Sequence, residues 1–344
     1  MSEAAHILIE GNEWRAWNTL ELRRSIDRFA QVTFEAPFEP ERKTFRDTFQ
    51  PFTFKPLNVL IKRETVFTGT LLGVEPDLEE DSRTVSCSGY SLPAVLQDCQ
   101  MPASAFPLEL NELPLSEIAR RLLDPFLLTV LAEAPEGAAF DRVAIRPEET
   151  IYSFLSELAK QRNLIITDNG SGALRFLRSS DPGRPVAQFR EGEAPLSGVK
   201  PRFSPQSYFS EITGIAKTRA GRGGSKYTEQ NTHLTDELRP HTFQLDDTDD
   251  ADAPDATRAK MGRMFGNMLS VELELPTWRD PRGQLFVPNT TVTLVAPGAM
   301  IYRETEFLIR DVIYRQDSEE TSASLNLVLP GAFSGEIPKT LPWE

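Results

Sequence analysis

The chain has little of what metal-binding and catalytic proteins usually display. Among its 344 residues are two cysteines and three histidines. Cys87 and Cys99 make no CxxC pair, and no Cys/His cluster has zinc spacing. Both read as small buried hydrophobes in a reducing compartment. No apolar run reaches the roughly 18 residues that would span a bilayer, so no membrane insertion is expected. The opening MSEAAHILIEGNEW lacks a basic n-region and an apolar h-region, and the chain is expected to fold in the cytoplasm. Basic charge is also short: 37 Lys and Arg against 51 Asp and Glu leave a net −14. That excludes the basic footprint of a sequence-reading nucleic-acid binder and suits a surface that repels polyanions.

The chemical motifs are equally sparse. Gly221-Arg-Gly-Gly-Ser lacks the GxxxxGK[ST] pattern of a phosphate loop. The acidic run DDTDDADAPD at 246–255 has neither the central Gly nor the closing Glu of an EF-hand, and it reads as charge at a helix N-terminus. His6, His233 and His241 have no ligand-spaced partner, no GxSxG elbow occurs, and no carboxylate pair stands out. No catalytic, cofactor-binding or metal-binding residue is therefore expected, and no cofactor.

What the sequence does contain is strands. Residues 278–333 open on a turn, Asp280-Pro-Arg-Gly283. Alternating apolar runs follow at 291–295, 306–314 and 322–329, parted by Pro297-Gly298 and a polar stretch at 316–321. This is a strand meander. Residues 57–90 carry a second: a short strand, Arg-Glu-Thr at 63–65, an apolar strand at 66–74, an acidic turn at 75–81 and a closing strand at 84–90. Arg-Glu-Thr recurs at 303–305, so the two meanders read as an internal duplication.

In chain order, residues 5–9 and 31–36 read as strands, and 21–28 as a short helix or a crossing loop. Phe45, Phe49, Phe52 and Phe54 read as core. Ser91 should cap a short helix with Pro93 in its first turn. Residues 116–123 have helical spacing, and 126–131 could be a strand. Thr150 caps a clear helix with Ile151, Phe154, Leu155 and Leu158 on one face, and Asn163 closes it. A hairpin follows across Asp168-Asn-Gly-Ser-Gly172. Residues 208–216 read as a strand and 217–248 as a mobile loop without periodicity. A helix from Pro254 to about Leu269 has Met261, Met264, Phe265 and Met268 as its apolar face. The expected fold is α+β and β-rich. Residues 1–100 form a first β-domain and 101–185 an inserted small α+β module. Residues 186–216 with 270–344 form a second β-domain, and 217–269 an acidic loop and helix insertion.

The motif Trp278-Arg-Asp-Pro-Arg-Gly-Gln-Leu-Phe-Val-Pro-Asn, the strands 291–295 and 307–312, and the closing Leu325-Asn-Leu-Val-Leu-Pro-Gly-Ala-Phe resemble the baseplate hub (tail) proteins of Mu-like contractile phages. That group is related to the late control protein D hubs and to the hub part of secretion-system spikes. The family pattern is roughly W-x-D-x-x-G-x-L-W-x-P-N with a closing L-x-L-x-x-P-x-A-F; Phe286 stands where Trp is frequent. Residues 149–167 and their DNGSGAL hairpin are similar too, with Asn163 in place of a frequent Gly. The resemblance implies a homotrimeric ring in which each chain gives two tube-like β-barrel domains. Such a ring matches a hexameric tail tube protein to a trimeric central spike protein, touches other baseplate proteins, and lets genomic DNA pass through its lumen without specific binding. It implies a virion location in the tail baseplate, a host cytoplasm for folding, and no enzymatic activity. Trp278, Asp280, Gly283, Pro288, Asn289, Pro330 and Phe333 would then be structural. Two other readings compete: a baseplate-associated cell-wall hydrolase or carbohydrate-binding protein, and the hub part of a contractile secretion-system spike.

Overall fold

A computed structural model describes residues 4–78, 83–162, 164–179, 184–216, 224–245 and 253–344. The expected C-terminal closure at Asn163, the Gly-rich stretch up to 223 and most of the acidic run lie outside those residues. Contacts divide the chain into two compact units. Unit 1 comprises Met1–Leu177, Pro276–Trp278 and Asp311–Ala323; unit 2 comprises Arg178–Leu275, Arg279–Arg310 and Ser324–Glu344.

Unit 1 begins with strands β1 (Ala5–Ile9), β2 (Asn12–Trp14), β3 (Thr19–Ser25) and β4 (Gln31–Pro37), and helix α1 (Lys43–Thr48). The first meander is β5 (Pro56–Ile61), β6 (Glu64–Leu78) and β7 (Arg83–Ser91). Hydrogen bonding runs β2-β1-β5-β6-β7-β4-β3, and β3 is then paired by residues 311–316. Residues 21–28 are thus strand-led, which corrects the helix-or-loop expectation. Leu20 and Leu22 are buried, while Glu21 faces Arg315 across the pairing, with Arg315 Nε 3.0 Å from Glu21 Oε2. Charge on alternate positions is a strand with one wet face, not a helix. The aromatic segment divides: Phe45 and Phe49 are buried with Phe34, while Phe52 and Phe54 are exposed at left-handed φ of 62° and 49°.

A second core in unit 1 forms around α2 (Val95–Asp98), β8 (Glu109–Leu113), α3 (Leu115–Leu123), β9 (Val130–Ala132), β10 (Phe140–Ala144), α4 (Ile151–Gln161), β11 (Ile165–Asp168) and β12 (Leu174–Leu177). Ile118, Leu122, Ile151, Leu155, Leu158 and Phe176 fill it. Each such burial contributes about 1.5–3 kcal/mol. Thr150 caps α4 as its spacing requires, Oγ1 accepting from Ser153 N at 3.2 Å. Ser91 precedes a 3-10 turn, Leu92–Ala94, without a side-chain cap. The expected strand at 126–131 is instead a 3-10 turn, Asp124–Phe126, a left-handed Leu127, and β9. Pro125 fits the first turn of a 3-10 segment and interrupts the strand pattern. β9 joins β12 in parallel beside the anticipated β11–β12 hairpin.

Unit 2 contains β13 (Ala187–Arg190), β14 (Gly198–Phe203), β15 (Glu211–Ala216), β16 (Lys226–Gln230), β17 (Pro240–Leu245), helix α5 (Ala253–Met268) and β18 (Leu269–Leu275). The second meander is β19 (Thr291–Ala296), β20 (Ile301–Gln316) and β21 (Thr321–Val328), and α6 (Gly331–Ser334) follows. β20 up to Arg310 and β21 from Ser324 belong to unit 2. β19 is flanked by parallel β13 and antiparallel β20, and β14 pairs β18. Met261, Met264, Phe265 and Met268 are buried, as their spacing requires. The stretch expected to be a loop without periodicity contains β16 and β17, which flank β15. Both alternate between exposed and more buried positions, but the inner face is mixed, Tyr227 with Glu229 in β16 and His241 with Phe243 and Leu245 in β17, so the apolar signal is weak. The fold is α+β and β-rich, as expected. Among the described residues the sheets are open paths, and no barrel closes within the chain.

Candidate functional site

The sequence motif at 278–289 folds as a clip built from local hydrogen bonds. Trp278 is 1% exposed, and its indole N–H donates to Ser322 O at 2.8 Å and to Arg315 O at 3.2 Å. Those carbonyls lie on either side of the loop joining β20 to β21. The Tyr314 ring meets the indole edge-on at 6.1 Å and 84°. In the turn that follows, Asp280 Oδ1 accepts from Arg282 N and Gln284 N, both at 2.9 Å. Gly283 N donates to Asp280 O at 2.9 Å, with Gly283 at φ 79°. A Cβ there would meet nothing within 4 Å, so the glycine answers a backbone need and not a steric one.

Asn289 also takes a left-handed φ, 66°, which Asn tolerates better than most residues. Its backbone N donates to Ile309 O at 2.9 Å and its side chain to Arg178 O at 3.2 Å. Pro288 precedes it half-buried, and Phe286 is 1% exposed against Phe189. Pro330 stands at the N-terminus of α6, and Phe333 lies half-buried within it. The two sets are separate features: a turn-and-entry clip and a short helix packed against α5.

The loop between β20 and β21 is itself closed by a carboxylate. Asp317 Oδ1 accepts from Glu319 N at 2.8 Å and Glu320 N at 2.9 Å, and those two N–H groups hold its carboxyl below the ordinary range. Among the described residues no three His, Cys, Asp or Glu side chains gather to hold a metal. Cys87 is fully buried, and desolvation pushes its thiol up to about 12; Cys99, expected to be buried, is half-exposed. His6 lies 2.7 Å from Glu13, an exposed pair rather than a relay.

The Arg-Glu-Thr repeats extend to Arg-Glu-Thr-x-Phe, at 63–67 and 303–307. Phe67 and Phe307 are buried, facing Val59 and Val292. In the first meander the register slips between Val59 and Leu60, opposite Phe67 and Thr65. In the second it slips between Leu294 and Ala296, opposite Thr305 and Ile301. The motif marks a bulged hairpin in both, although it starts at the turn in one and within β20 in the other. Of the exposed apolar residues Phe52, Leu127, Met300 and Tyr302, sequence reasoning assigned Phe52 to the core and did not single out the other three. Three of them, Phe52, Leu127 and Met300, sit at left-handed φ, and no local pattern announces such exposure.

Comparison with known proteins now bears on these features. The family model described as "baseplate hub protein gp44-like, second domain" matches residues 93–178, the stretch holding α3, α4 and the β11–β12 hairpin. The baseplate hub protein gp44 of Escherichia phage Mu is 25% identical, over 94% of this chain and 88% of that protein. This chain is similar to the Mu-type baseplate hub proteins. The crystal structure of the prophage MuSo2 43 kDa tail protein from Shewanella oneidensis is also 25% identical. It superposes with a TM-score of 0.83, covering 96% of this chain and 99% of that one. The c3393 protein of E. coli, described as a type VI secretion component similar to the T4 tail proteins gp27 and gp5, shares the fold at 11% identity. Its TM-score is 0.59 over 94% of this chain and 76% of that one. The similarity thus spans nearly the whole chain and is not confined to the matched domain.

Proposed function

We propose that this hub relative is a non-enzymatic structural protein that joins the hexameric tail tube to the trimeric central spike. It acts as a homotrimer in the virion tail baseplate, in contact with other baseplate proteins. Three chains with two equivalent halves offer six similar surfaces, so an internal duplication resolves the mismatch between six-fold and three-fold partners. The observation that carries this reading is the pair of bulged meanders. Each has a six-residue strand followed by a strand of 15 or 16 residues, and in each the Phe of the shared motif is buried facing a Val of the shorter strand.

In this reading residues 1–100 give one tube-like half, and 186–216 with 270–344 the other. The 101–185 module and the 217–269 insertion lie outside the tube wall. Barrel closure then occurs between chains, since the sheets of one chain are open. Trp278, Asp280, Gly283, Pro288, Asn289, Pro330 and Phe333 act as scaffold, holding strand ends. A net charge of −14 suits a lumen through which DNA passes without binding. Light scattering on the purified protein should give about 116 kDa, three chains of 38.6 kDa, and electron microscopy should show three-fold rings with a central channel. A single-chain mass both alone and with the spike protein present would overturn the reading.

A further inference from the structure

Strands β3, β4 and β7 leave one face of the first sheet to solvent. On β3, Leu20 and Leu22 are buried, while Thr19, Glu21 and Arg23 take the alternate positions. Pairing carries that face across the sheet. Glu21 is opposite Thr33 and Thr33 opposite Ser88, and in the next row Glu35 is opposite Ser86, which faces Glu75 of β6. On the other side of β3, Arg315 is opposite Glu21. Hydroxyls and carboxylates dominate. Among the described residues on this face of β3, β4, β7, the 73–77 stretch of β6 and the 311–316 stretch, the only basic side chains are Arg23 and Arg315.

One carboxylate holds both arginines. Arg315 Nε lies 3.0 Å from Glu21 Oε2, and Arg23 Nη2 lies 4.0 Å from Glu21 Oε1. The first contact crosses between strands and the second runs along β3, so Glu21 sits between two cations. The side chains are 38% exposed for Arg315, 45% for Arg23 and 43% for Glu21. Ion pairs this exposed add little to stability, so holding the sheet together does not account for the arrangement. What the carboxylate does change is the surface field. A guanidinium forks onto phosphate as well as onto carboxylate, and here both forks face Glu21. Unit 2 has a similar arrangement of its own, with Lys200 Nζ 3.7 Å from Glu272 Oε1 and 3.8 Å from Glu274 Oε1.

We propose that Glu21 is a charge mask on a channel wall: by holding Arg23 and Arg315 it denies both guanidinium groups to the phosphates of duplex DNA passing over the face. The masking stands on the side-chain geometry, and the placement in a channel rests on the hub reading proposed above. Without the mask, each arginine could take a phosphate as it takes the Glu21 carboxylate, and DNA would be retained in a salt-dependent way. With it, the face offers a phosphate only hydroxyls and like charge. One mask covers two arginines in each chain, so its loss would bare six in a ring of three chains.

Retention of a short linear DNA duplex by the full chain, native against Glu21→Gln, tests this. The variant keeps the side chain's length and removes its charge. It should bind at least about tenfold more tightly than the native chain at about 50 mM salt, and lose about tenfold of that affinity or more by about 200 mM, the slope of two phosphate contacts. Adding Arg23→Gln and Arg315→Gln to Glu21→Gln should return retention to the native level, which a purely structural role of the pair would not do. Closed circular DNA separates a channel from an outer surface, because a closed circle cannot thread a formed ring. The variant should retain the linear duplex and not the circle. No gain in a Glu21→Gln chain of native mass and circular dichroism overturns the mask, as does a gain that survives loss of both arginines. Equal retention of circle and linear duplex by a variant of trimer mass overturns the channel placement and leaves the hub reading standing. A single-chain mass with and without the spike protein overturns the hub reading and the channel with it, while the gain on linear duplex still decides the mask. If Glu21→Gln does not fold, Glu21→Ser removes the same carboxylate and is read in the same way.

Discussion

Replacing Trp278 with Phe tests whether the clip at 278–289 holds the second meander. The indole N–H serves two carbonyls at once, Ser322 O at 2.8 Å and Arg315 O at 3.2 Å, at a site 1% exposed. Phe keeps an aromatic ring but has no donor, so two acceptors lose this partner at a cost of about 1–3 kcal/mol. The smaller ring also leaves a void next to Tyr314, costing about 1–2 kcal/mol more. The sum is about 3 kcal/mol. For a unit of roughly 150–250 residues, each kcal/mol moves Tm by about 2–4 °C, so a fall of about 6–12 °C is expected. Denaturant unfolding followed by far-UV circular dichroism gives the free energy. A parallel Tyr314→Leu variant and the double variant isolate the ring contact, expected at about 0.5–1.5 kcal/mol. A loss below about 1 kcal/mol for Trp278→Phe would refute the clip, since either contribution alone should reach that size.

Two glycines separate strain from collision. Gly283→Ala meets open space and faces only its φ of 79°, so a loss of about 1 kcal/mol is expected. Gly262→Ala places Cβ 2.4 Å from Gly335 Cα and 2.6 Å from Gly331 O, both backbone, and should cost above about 2 kcal/mol by forcing α5 from α6. Thermal unfolding ranks the pair, and equal losses would contradict the geometry. At Asp168, desolvation raises the carboxyl above its ordinary range although Ala30 N donates to it at 3.1 Å. A raised folded value means the stabilising contribution is present below the unfolded Asp value and is lost as pH rises through the folded value. Asp168→Asn keeps the acceptor without the charge. It should match or exceed the native stability at neutral pH and remove that part of the pH slope; a marked loss at neutral pH would show that the charge is needed.

What could be read from the sequence was local. The Thr150 cap, the apolar face of α5 and the turn at Asp280–Gly283 each depend on residues within a turn or two, and each formed as spelled. The pattern failed where strand identity came from a distant partner. β3 carries Glu21 between its leucines and Arg23 and Arg24 after them, and it became a strand by pairing β4 and residues 311–316. β16 and β17 alternate, but their inner faces include Glu229 and His241 and are mostly half-buried, so the sequence held only a weak period-2 signal for the sheet that β15 organises. The parallel pairing of β9 with β12 joins residues more than forty apart, beyond any local reading. Exposure of Phe52 and Phe54 was hidden for the opposite reason: composition assigns aromatics to the core, and only backbone φ placed these two outside it.

The repeated motif was legible as letters but not as geometry. Aligning Arg-Glu-Thr on the turns fails, because residues 63–65 adjoin their turn and 303–305 do not. Aligning on the register slip fails too, since it lies C-terminal to Thr65 and N-terminal to Thr305; the position the copies share is the buried Phe, Phe67 facing Val59 and Phe307 facing Val292. A buried strand side chain is pinned to the core face by the period-2 register, so it is more constrained than a turn of variable length. The two copies then diverge at their far ends. Glu75–Leu78 of β6 are exposed, whereas Tyr314 of β20 is buried against Trp278. The Trp278 clip belongs to that difference, which is why its motif occurs once while the meander occurs twice.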